Sequence, residues 1–198
     1  MKARPTLICI PDISGFTEFM TKVDFELGSK VIPSLLNNII YSNEIGLKIS
    51  EIEGDAVLFF RQGPLPPLKS VIDQCKLFYS EFYIHLEELR KQNNGSKNAE
   101  RIPEILGLKI ILHFGEQVAP IKIDKHIKLM GEDVIAAHRL LKNHVPIDEY
   151  ILLSEELLAQ YRKDLDDLVD WTEIKKGTIV DEHIGKVPFH FVPLEPLQ

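Results

Sequence analysis

The chain has few cysteines, no long apolar run and no excess of basic residues. Its 198 residues include two cysteines, Cys9 and Cys75. Both lie within apolar patterns, so we expect buried free thiols rather than a disulfide framework. No stretch approaches the roughly 20 apolar residues that a membrane-spanning helix needs. The formal net charge of −7 argues against general nucleic-acid binding, because binding to a phosphate backbone requires clustered lysine and arginine.

The motifs of several common enzyme classes are also missing. No GxxxxGK[ST] segment is present, which excludes a P-loop NTPase. The seven histidines show neither the HExxH pattern nor a paired spacing, which argues against a zinc site. Ser154 lacks the G-x-S-x-G surroundings of a nucleophile, and capping of the helix that follows is the better interpretation. MKARPTLICIPD has too short an apolar run for a signal peptide, so we expect a cytoplasmic protein.

The composition is that of an ordinary globular protein, with 44% hydrophobic and 27% charged residues. This length fits one domain with a sizeable core, so we expect a single domain over residues 1–198. The polar segment QNNGSKNAERIPE is rich in turn-forming residues, and we expect a mobile loop at about residues 92–104.

The first half of the chain alternates between strand-like and helix-like patterns. TLICI indicates a buried strand that Pro11 and Asp12 end, with Ser14 as the N-cap of a short helix. A second helix is predicted from about Glu26 to Glu44, and Pro33 fits its first turn only if the helix starts later. LKISEIE and AVLFFR predict a hairpin that turns at Gly54-Asp55.

The second half continues the alternation. A long helix is predicted from about Leu68 to Lys91, followed by the strand LGLKIILHFGE, with which QVAPIKI is expected to pair. GEDVIAAHRLLKN predicts a helix, YILLS a strand, EELLAQY a helix, and the tail two or three strands. This order predicts an α+β fold with one mainly antiparallel sheet and helices packed on it, of the ferredoxin-like type.

Two aspartates lie beside apolar runs, Asp12 in IPDISGFTEF and Asp55 in SEIEGDAVLFF. A carboxylate at a strand end, followed by a turn of small residues and a helix, suits a hard divalent cation and the phosphates it carries. If the two strands are neighbours, the carboxylates can hold a magnesium pair against a triphosphate. Each aspartate also has a simpler interpretation, as a helix-entry or turn residue.

The blocks IPDISGFTEF, EIEGDAVLFF, LKIILHFGEQV, GEDVIAAHRLL and YILLSEELL occur in the order seen in class III nucleotidyl cyclase catalytic domains, the adenylate and guanylate cyclases. The resemblance covers about residues 5 to 192, and the chain looks like a divergent bacterial branch of uncharacterised cyclase-like proteins. The D-I-x-G-F-T block with a later G-D is its most specific part. The resemblance implies the ferredoxin-like fold of the cyclase catalytic domain.

The resemblance also implies roles for particular residues. Asp12 and Asp55 match the two metal-binding aspartates, which bind two Mg²⁺ or Mn²⁺ ions, and Ile13 offers a backbone carbonyl to a metal. The segment that wraps the phosphates matches Ser14, Gly15, Phe16 and Thr17. Glycine in this segment allows the backbone to approach the ligand closely.

Arg139 matches the arginine that stabilises charge on the transferring α-phosphate. In the family this arginine and the metal site come from different subunits of a head-to-tail dimer. The resemblance therefore implies a homodimer that binds GTP or ATP. A simpler interpretation places Arg139 on the solvent side of its helix or in an ion pair with Glu132 or Asp133.

The chain departs from the family pattern at several positions. Ile135 stands where the family has an asparagine that orients the ribose, and an apolar side chain cannot donate that hydrogen bond. Ile184 stands at the position of a second phosphate-binding lysine, with Lys186 nearby. Glu51 matches the base-reading glutamate of guanylate cyclases, but its partner position holds Lys128, and these two side chains are able to pair with each other.

Three functions follow from these observations. The first is a metal-dependent domain that binds a purine nucleoside triphosphate and has weak or absent cyclase activity, because a missing transition-state donor typically costs about 10²–10³ in rate. The second is an active cyclase that forms cyclic GMP or cyclic AMP and releases pyrophosphate. The third is a scaffold or small-ligand protein that kept the fold and lost the nucleotide. The retained aspartates and Arg139 favour the first two, and Ile135 favours the first.

Overall fold

The fold is taken from a computed structural model that describes residues 2–96, 98–162 and 165–197. Its eight strands are β1 Arg4–Ser14, β2 Lys48–Glu53, β3 Ala56–Gln62, β4 Gly107–Ile123, β5 His126–Met130, β6 Tyr150–Ser154, β7 Lys175–Asp181 and β8 Gly185–Pro193. Its six α-helices are α1 Phe16–Lys22, α2 Phe25–Tyr41, α3 Leu68–Gln92, α4 Ile102–Ile105, α5 Glu132–Leu141 and α6 Glu155–Leu158.

The strands form one open sheet in the order β2-β3-β1-β4-β6-β8-β7, and β5 pairs with β4 outside this path. The first four strands are antiparallel neighbours, with β1 between β3 and β4 and with β2 at the edge. This arrangement is the β-α-β-β-α-β pattern of ferredoxin-like folds, so the predicted α+β class is confirmed. Only the β4–β6 pairing is parallel among the described strands.

Both faces of the sheet are covered. Successive residues of β1 enter opposite apolar clusters: Leu7 and Cys9 pack on the side of α2 and α3, and Ile8 and Ile10 on the side of α5. A strand that is buried on both faces reads as a continuous apolar run rather than an alternating one. This burial explains why TLICI was recognisable in the sequence, and both cysteines are buried free thiols as expected.

Strand β1 is longer than predicted. It continues through Pro11 to Ser14, and the predicted end at Pro11 is wrong. Pairing with β3 is interrupted between Cys9 and Asp12, because proline has no backbone N–H for the ladder. The pairing with β4 runs without a break along the same residues, and it keeps the strand extended.

Three further details differ from the prediction. Pro33 is the ninth of the 17 residues of α2, not a first-turn residue. QVAPIKI is the second half of β4, which pairs with β5, not a separate strand that pairs with β4. The segment at 92–104 includes the first three residues of α4, and Ala99 and Ile102 are buried in the core; Lys97 of this segment lies outside the described residues. The hairpin at Gly54-Asp55, the long helix α3 and the Ser154 cap are confirmed.

Candidate functional site

Asp12 lies inside β1, on the face of the sheet that α5 covers, and only 7% of the residue is exposed. Its backbone pairs with Ala56 of β3 on one side and with Lys109 of β4 on the other. The Lys109 ammonium group lies 3.2 Å from the Asp12 carboxylate, between Nζ and Oδ1. The prediction placed Asp12 just past a strand end, whereas the structure holds it between two neighbouring strands.

Asp55 is the second residue of the two-residue turn between β2 and β3. Gly54 before it has a φ of +58°, which suits the first position of a tight hairpin turn. The carbonyl of Asp55 accepts a 2.9 Å hydrogen bond from the N–H of Ile13. The hairpin is therefore tied to the residue directly after Asp12, and this tie brings the two aspartates to the same end of the β1–β3 pair.

The electrostatics of Asp12 are dominated by its burial. Burial raises the pKa of Asp12 to about 6, Lys109 opposes this rise, and the nearby Asp55 carboxylate adds to it. A buried carboxylate beside a second one is costly to ionise, and a bound cation relieves that cost. The pair is therefore a place where a cation would be stabilised.

The donor set at this pair fits magnesium or manganese with a phosphate ligand. Among the residues that the structure describes, no group of three or more histidine, cysteine, aspartate or glutamate side chains is arranged to hold a metal. Mg²⁺ is commonly bound by one or two carboxylates together with substrate phosphates rather than by a complete protein cage. Two carboxylates match that requirement, and the remaining ligands would come from the nucleotide and water.

The segment after Asp12 forms a tight turn into α1. The predicted N-cap, Ser14, is wrong: its hydroxyl donates to the carbonyl of Asp148 at 2.6 Å, and Gly15 occupies the cap position with a φ of +77°. A Cβ at Gly15 would lie 1.9 Å from the carbonyl oxygen of Ile105 in α4. Phe16 packs against the core, and Thr17 is exposed. One side of the turn therefore packs against α4, and the other side, at Gly15 and Thr17, is exposed.

Arg139 lies on α5 and forms an ion pair with Asp181 at the end of β7. The distance from Arg139 Nε to Asp181 Oδ2 is 2.9 Å. The contact is an ion pair without hydrogen-bond geometry, since Nε has no hydrogen-bond partner among the described residues. The alternative pairing of Arg139 with Glu132 or Asp133 is therefore wrong. Ile135, one turn earlier on α5, is half exposed, and Ile184 lies in the turn that leads to Lys186 at the start of β8.

Glu51 and Lys128 are in contact with each other. The distance from Lys128 Nζ to Glu51 Oε2 is 3.3 Å, and the hydroxyl of Ser50 bonds to the backbone of β5 on either side of Lys128. The two side chains line a cavity of about 530 Å³ whose other walls include Ile49 and Ile127. The alternative in which the two residues pair within this cavity is the one that the structure shows.

The prediction from the sequence did not include two residues of these sites, Lys109 and Asp181. Lys109 is the single charged residue in the apolar run LGLKIILHF, and an isolated charge within a buried strand indicates a buried partner. Asp181 gave no signal, because its partner Arg139 is 42 positions earlier in the chain and only the packing of β7 beside α5 brings the two together.

The described residues contain no helix that is long and apolar enough to cross a membrane.

Structural comparison identifies the fold. The chain is similar to the adenylyl cyclase CyaB from P. aeruginosa, with a TM-score of 0.63, 20% identity and coverage of 98% of this chain and 96% of that one. It is similar to the guanylyl cyclase Cya2, with a TM-score of 0.60, 20% identity and coverage of 96% and 93%. The guanylate cyclase domain of RhGC from Catenaria anguillulae, solved in complex with GTP, gives a TM-score of 0.61, 16% identity and coverage of 96% and 97%. The chain therefore has the fold of the class III cyclase catalytic domains.

Sequence comparison identifies the family within that fold. Residues 32–150 match the family described as "Protein of unknown function (DUF2652)". The chain is also 31% identical over 163 residues to the uncharacterised protein Rv2561/Rv2562 of Mycobacterium tuberculosis, which covers 81% of this chain and 72% of that protein. The protein belongs to this family of unknown function, whose cyclase-like fold the structure shows.

Proposed function

We propose that the protein binds a purine nucleoside triphosphate, GTP or ATP, together with two Mg²⁺ or Mn²⁺ ions, and that its cyclase activity is weak or absent. The observation that carries this proposal is the placement of Asp12 and Asp55 at one end of the β1–β3 pair, where the N–H of Ile13 donates to the Asp55 carbonyl. A scaffold with no cation ligand would gain stability by replacing a buried carboxylate whose ionisation the surrounding protein opposes. Retention of both aspartates therefore favours binding.

Each element of the candidate site has a role in this proposal. Asp12, Asp55 and the carbonyl of Ile13 would hold the metal ions, which bridge the phosphates and neutralise their charge. The turn from Ser14 to Thr17 would contact the phosphates with its backbone, because the first N–H groups of a helix have no intrahelical acceptor. The cavity with Glu51 and Lys128 would receive the base once their ion pair opens, which would free a carboxylate acceptor and an ammonium donor.

Arg139 would act on the nucleotide of a second copy of the chain. The resemblance to cyclases implies a head-to-tail homodimer, in which Arg139 of one copy faces the aspartates of the other. Several large apolar side chains near these sites are exposed in the single chain, which favours burial against a partner. They are Ile49, Ile52, Ile123, Ile127, Met130 and Ile135.

Calorimetric titration with Mn²⁺–GTP and Mn²⁺–ATP tests the proposal. We expect metal-dependent binding by the wild type, and we expect Asp12→Asn and Asp55→Asn each to abolish it, because each removes a charged ligand. Asp170→Asn, at an exposed aspartate, is the matched control and should bind as the wild type does. Absence of metal-dependent uptake by the wild type would refute the proposal.

A chromatographic assay for cyclic product separates binding from catalysis. We expect little or no cyclic GMP or cyclic AMP from the wild type, because Ile135 cannot donate a hydrogen bond to the ribose. Ile135→Asn restores an amide at this half-exposed position and should raise turnover, since one oriented donor is worth about 10²–10³ in rate. Strong turnover by the wild type would instead support the active-cyclase alternative.

A further inference from the structure

A second charged cavity lies at the end of α5, next to Arg139. It has a volume of about 420 Å³ and is lined by Arg139, Lys142 and His144 on one side and by Asp181, Ile179 and Val180 of β7 on the other. Lys142 follows Arg139 by three positions, and its backbone N–H bonds to the Arg139 carbonyl at 3.0 Å. Residues three apart are neighbours on a helix surface, so both cations face the same space.

The charge of this cavity is opposite to that of the whole chain. Arg139 and Lys142 bring two positive charges against the single carboxylate of Asp181, in a chain whose formal net charge is −7. A local excess of cations beside apolar walls attracts anions, because low-dielectric walls focus the field. A planar guanidinium group together with an ammonium group is a common combination for binding phosphoryl oxygens.

Asp181 is held in place as the counter-ion of Arg139. Its carboxylate accepts hydrogen bonds from the N–H groups of His183 at 2.9 Å and Ile184 at 3.3 Å. These backbone bonds, and then the charge of Arg139, lower the pKa of Asp181. The carboxylate is therefore ionised at neutral pH and competes with any incoming anion for Arg139.

We infer that this cavity binds the polyphosphate of the nucleotide through Arg139 and Lys142, and that Asp181 sets its affinity by competing with the phosphate for Arg139. Lys142 supplies the second cation that Ile184 cannot supply. The inference rests on the proposed function for the assignment of Arg139 to a nucleotide, and it adds a phosphate contact and an internal competitor. In the bound state the phosphate oxygens face Lys142 and the free side of the Arg139 guanidinium.

Inorganic triphosphate without metal is the probe, because it lacks the base and does not need the aspartate pair. Its binding is measured by ³¹P NMR titration of the full chain. We expect Lys142→Gln to weaken binding about fivefold and Lys142→Arg to restore it, as expected for one solvent-accessible charge contact. Lys175→Gln removes an exposed lysine at the other end of β7 and should leave the affinity unchanged.

Asp181→Asn gives the second, opposite effect. Asparagine keeps an oxygen acceptor for the two backbone N–H groups, so the turn is preserved while the competing charge is lost. We expect triphosphate to bind about threefold to tenfold more tightly. Wild-type affinity in both Lys142→Gln and Asp181→Asn, or no binding of triphosphate by the wild type, would overturn the inference.

The experiment separates this inference from the proposed function. Asp12→Asn should abolish Mn²⁺–nucleotide uptake without weakening metal-free triphosphate binding, because it removes no cation from the cavity. If Asp12→Asn abolishes uptake while Lys142→Gln changes neither measurement, the proposed function stands and the inference is wrong. If triphosphate binding depends on Lys142 and Asp181 but no metal-dependent uptake occurs, the cavity is an anion site and the proposed function is wrong.

Discussion

The candidate site has two halves that are built differently. The carboxylate half, formed by Asp12, Ile13, Gly15 and Asp55, lies at the end of two central strands. The cation half consists of Arg139 and of Ile135, which lies one turn before it. Both residues lie on the surface of α5. The side chain of Asp12 is 10% exposed and that of Arg139 is 43% exposed.

The contrast between the buried Asp12 and the half-exposed Arg139 parallels where the chain departs from the cyclase pattern. The carboxylate half keeps every residue that the resemblance assigns to it, and its members are fixed by pairing with β3 and β4 and by contact with α4. The cation half has Ile135 and Ile184 at the positions where the resemblance places an asparagine and a second lysine. A buried residue is constrained by its neighbours as well as by its ligand, whereas an exposed one is free to change.

The largest expected effect is a loss of stability when the backbone turn of the carboxylate half is disturbed at Gly15. Gly15→Ala places a Cβ 1.9 Å from the Ile105 carbonyl at a φ of +77°, and it should lower the free energy of unfolding by about 3 kcal/mol. Gly54→Ala also has a positive φ but meets no atom within 4 Å, so it should cost only about 1 kcal/mol. Urea unfolding, followed by the fluorescence of the single tryptophan, Trp171, measures both. Equal losses would show that the contact with Ile105 carries no energy.

A second effect of similar size has the opposite sign. The pKa of Asp12 is raised to about 6 in the folded chain, above the value of about 3.9 for an unfolded aspartate. Between these values the folded state binds more protons than the unfolded state, so stability falls as the pH rises. Asp12→Asn should therefore stabilise the metal-free protein by about 3 kcal/mol at pH 7.

The pH dependence of this gain is its check. The difference between Asp12→Asn and the wild type should be complete above about pH 6, shrink as the pH falls, and vanish below about pH 4. Urea unfolding of both proteins across this range measures it, with Asp170→Asn as the control. A loss of stability in Asp12→Asn at pH 7 would contradict the assigned cause.

The smallest expected effect is the loss of stability when a lysine is removed from one of two lysine–carboxylate pairs. Lys128 is 52% exposed in its pair with Glu51, and Lys128→Gln should lower stability by less than about 0.5 kcal/mol because water screens the pair. Lys109 is 23% exposed beside the buried Asp12, so Lys109→Gln leaves that carboxylate without its cation and should cost more. Thermal unfolding at pH 7 ranks the two variants. The reverse ranking would show that burial does not separate the two pairs.

The parts of the fold that the sequence predicted are those set by local pattern. Turn chemistry at Gly54 and the apolar period of α3 were sufficient for the hairpin and the long helix. The predicted strand end at Pro11 failed because β4 pairs with β1 through that position, which no local rule indicates. The prediction for 92–104 missed α4 because the polar residues outweighed Ile102, which becomes buried only through tertiary packing.

The candidate site follows the same division. Asp12 and Asp55 were predicted from strand-like runs and from the cyclase resemblance, and the structure brings them together. Ser14 was assigned to a cap by its position alone, whereas its hydroxyl bonds to Asp148, 134 residues later in the chain. The Asp181 partner of Arg139 depends on the placement of β7, which is a property of the whole sheet.

The contact between Gly15 and Ile105 bears on how the motif should be interpreted in evolution. Selection for fold stability alone would keep glycine at this position, since a larger residue collides with the backbone of α4. The same selection would replace Asp12, whose ionisation opposes folding at neutral pH. The presence of an aspartate at position 12 therefore says more about ligand binding than the presence of glycine at position 15, even though the two are three positions apart in one motif.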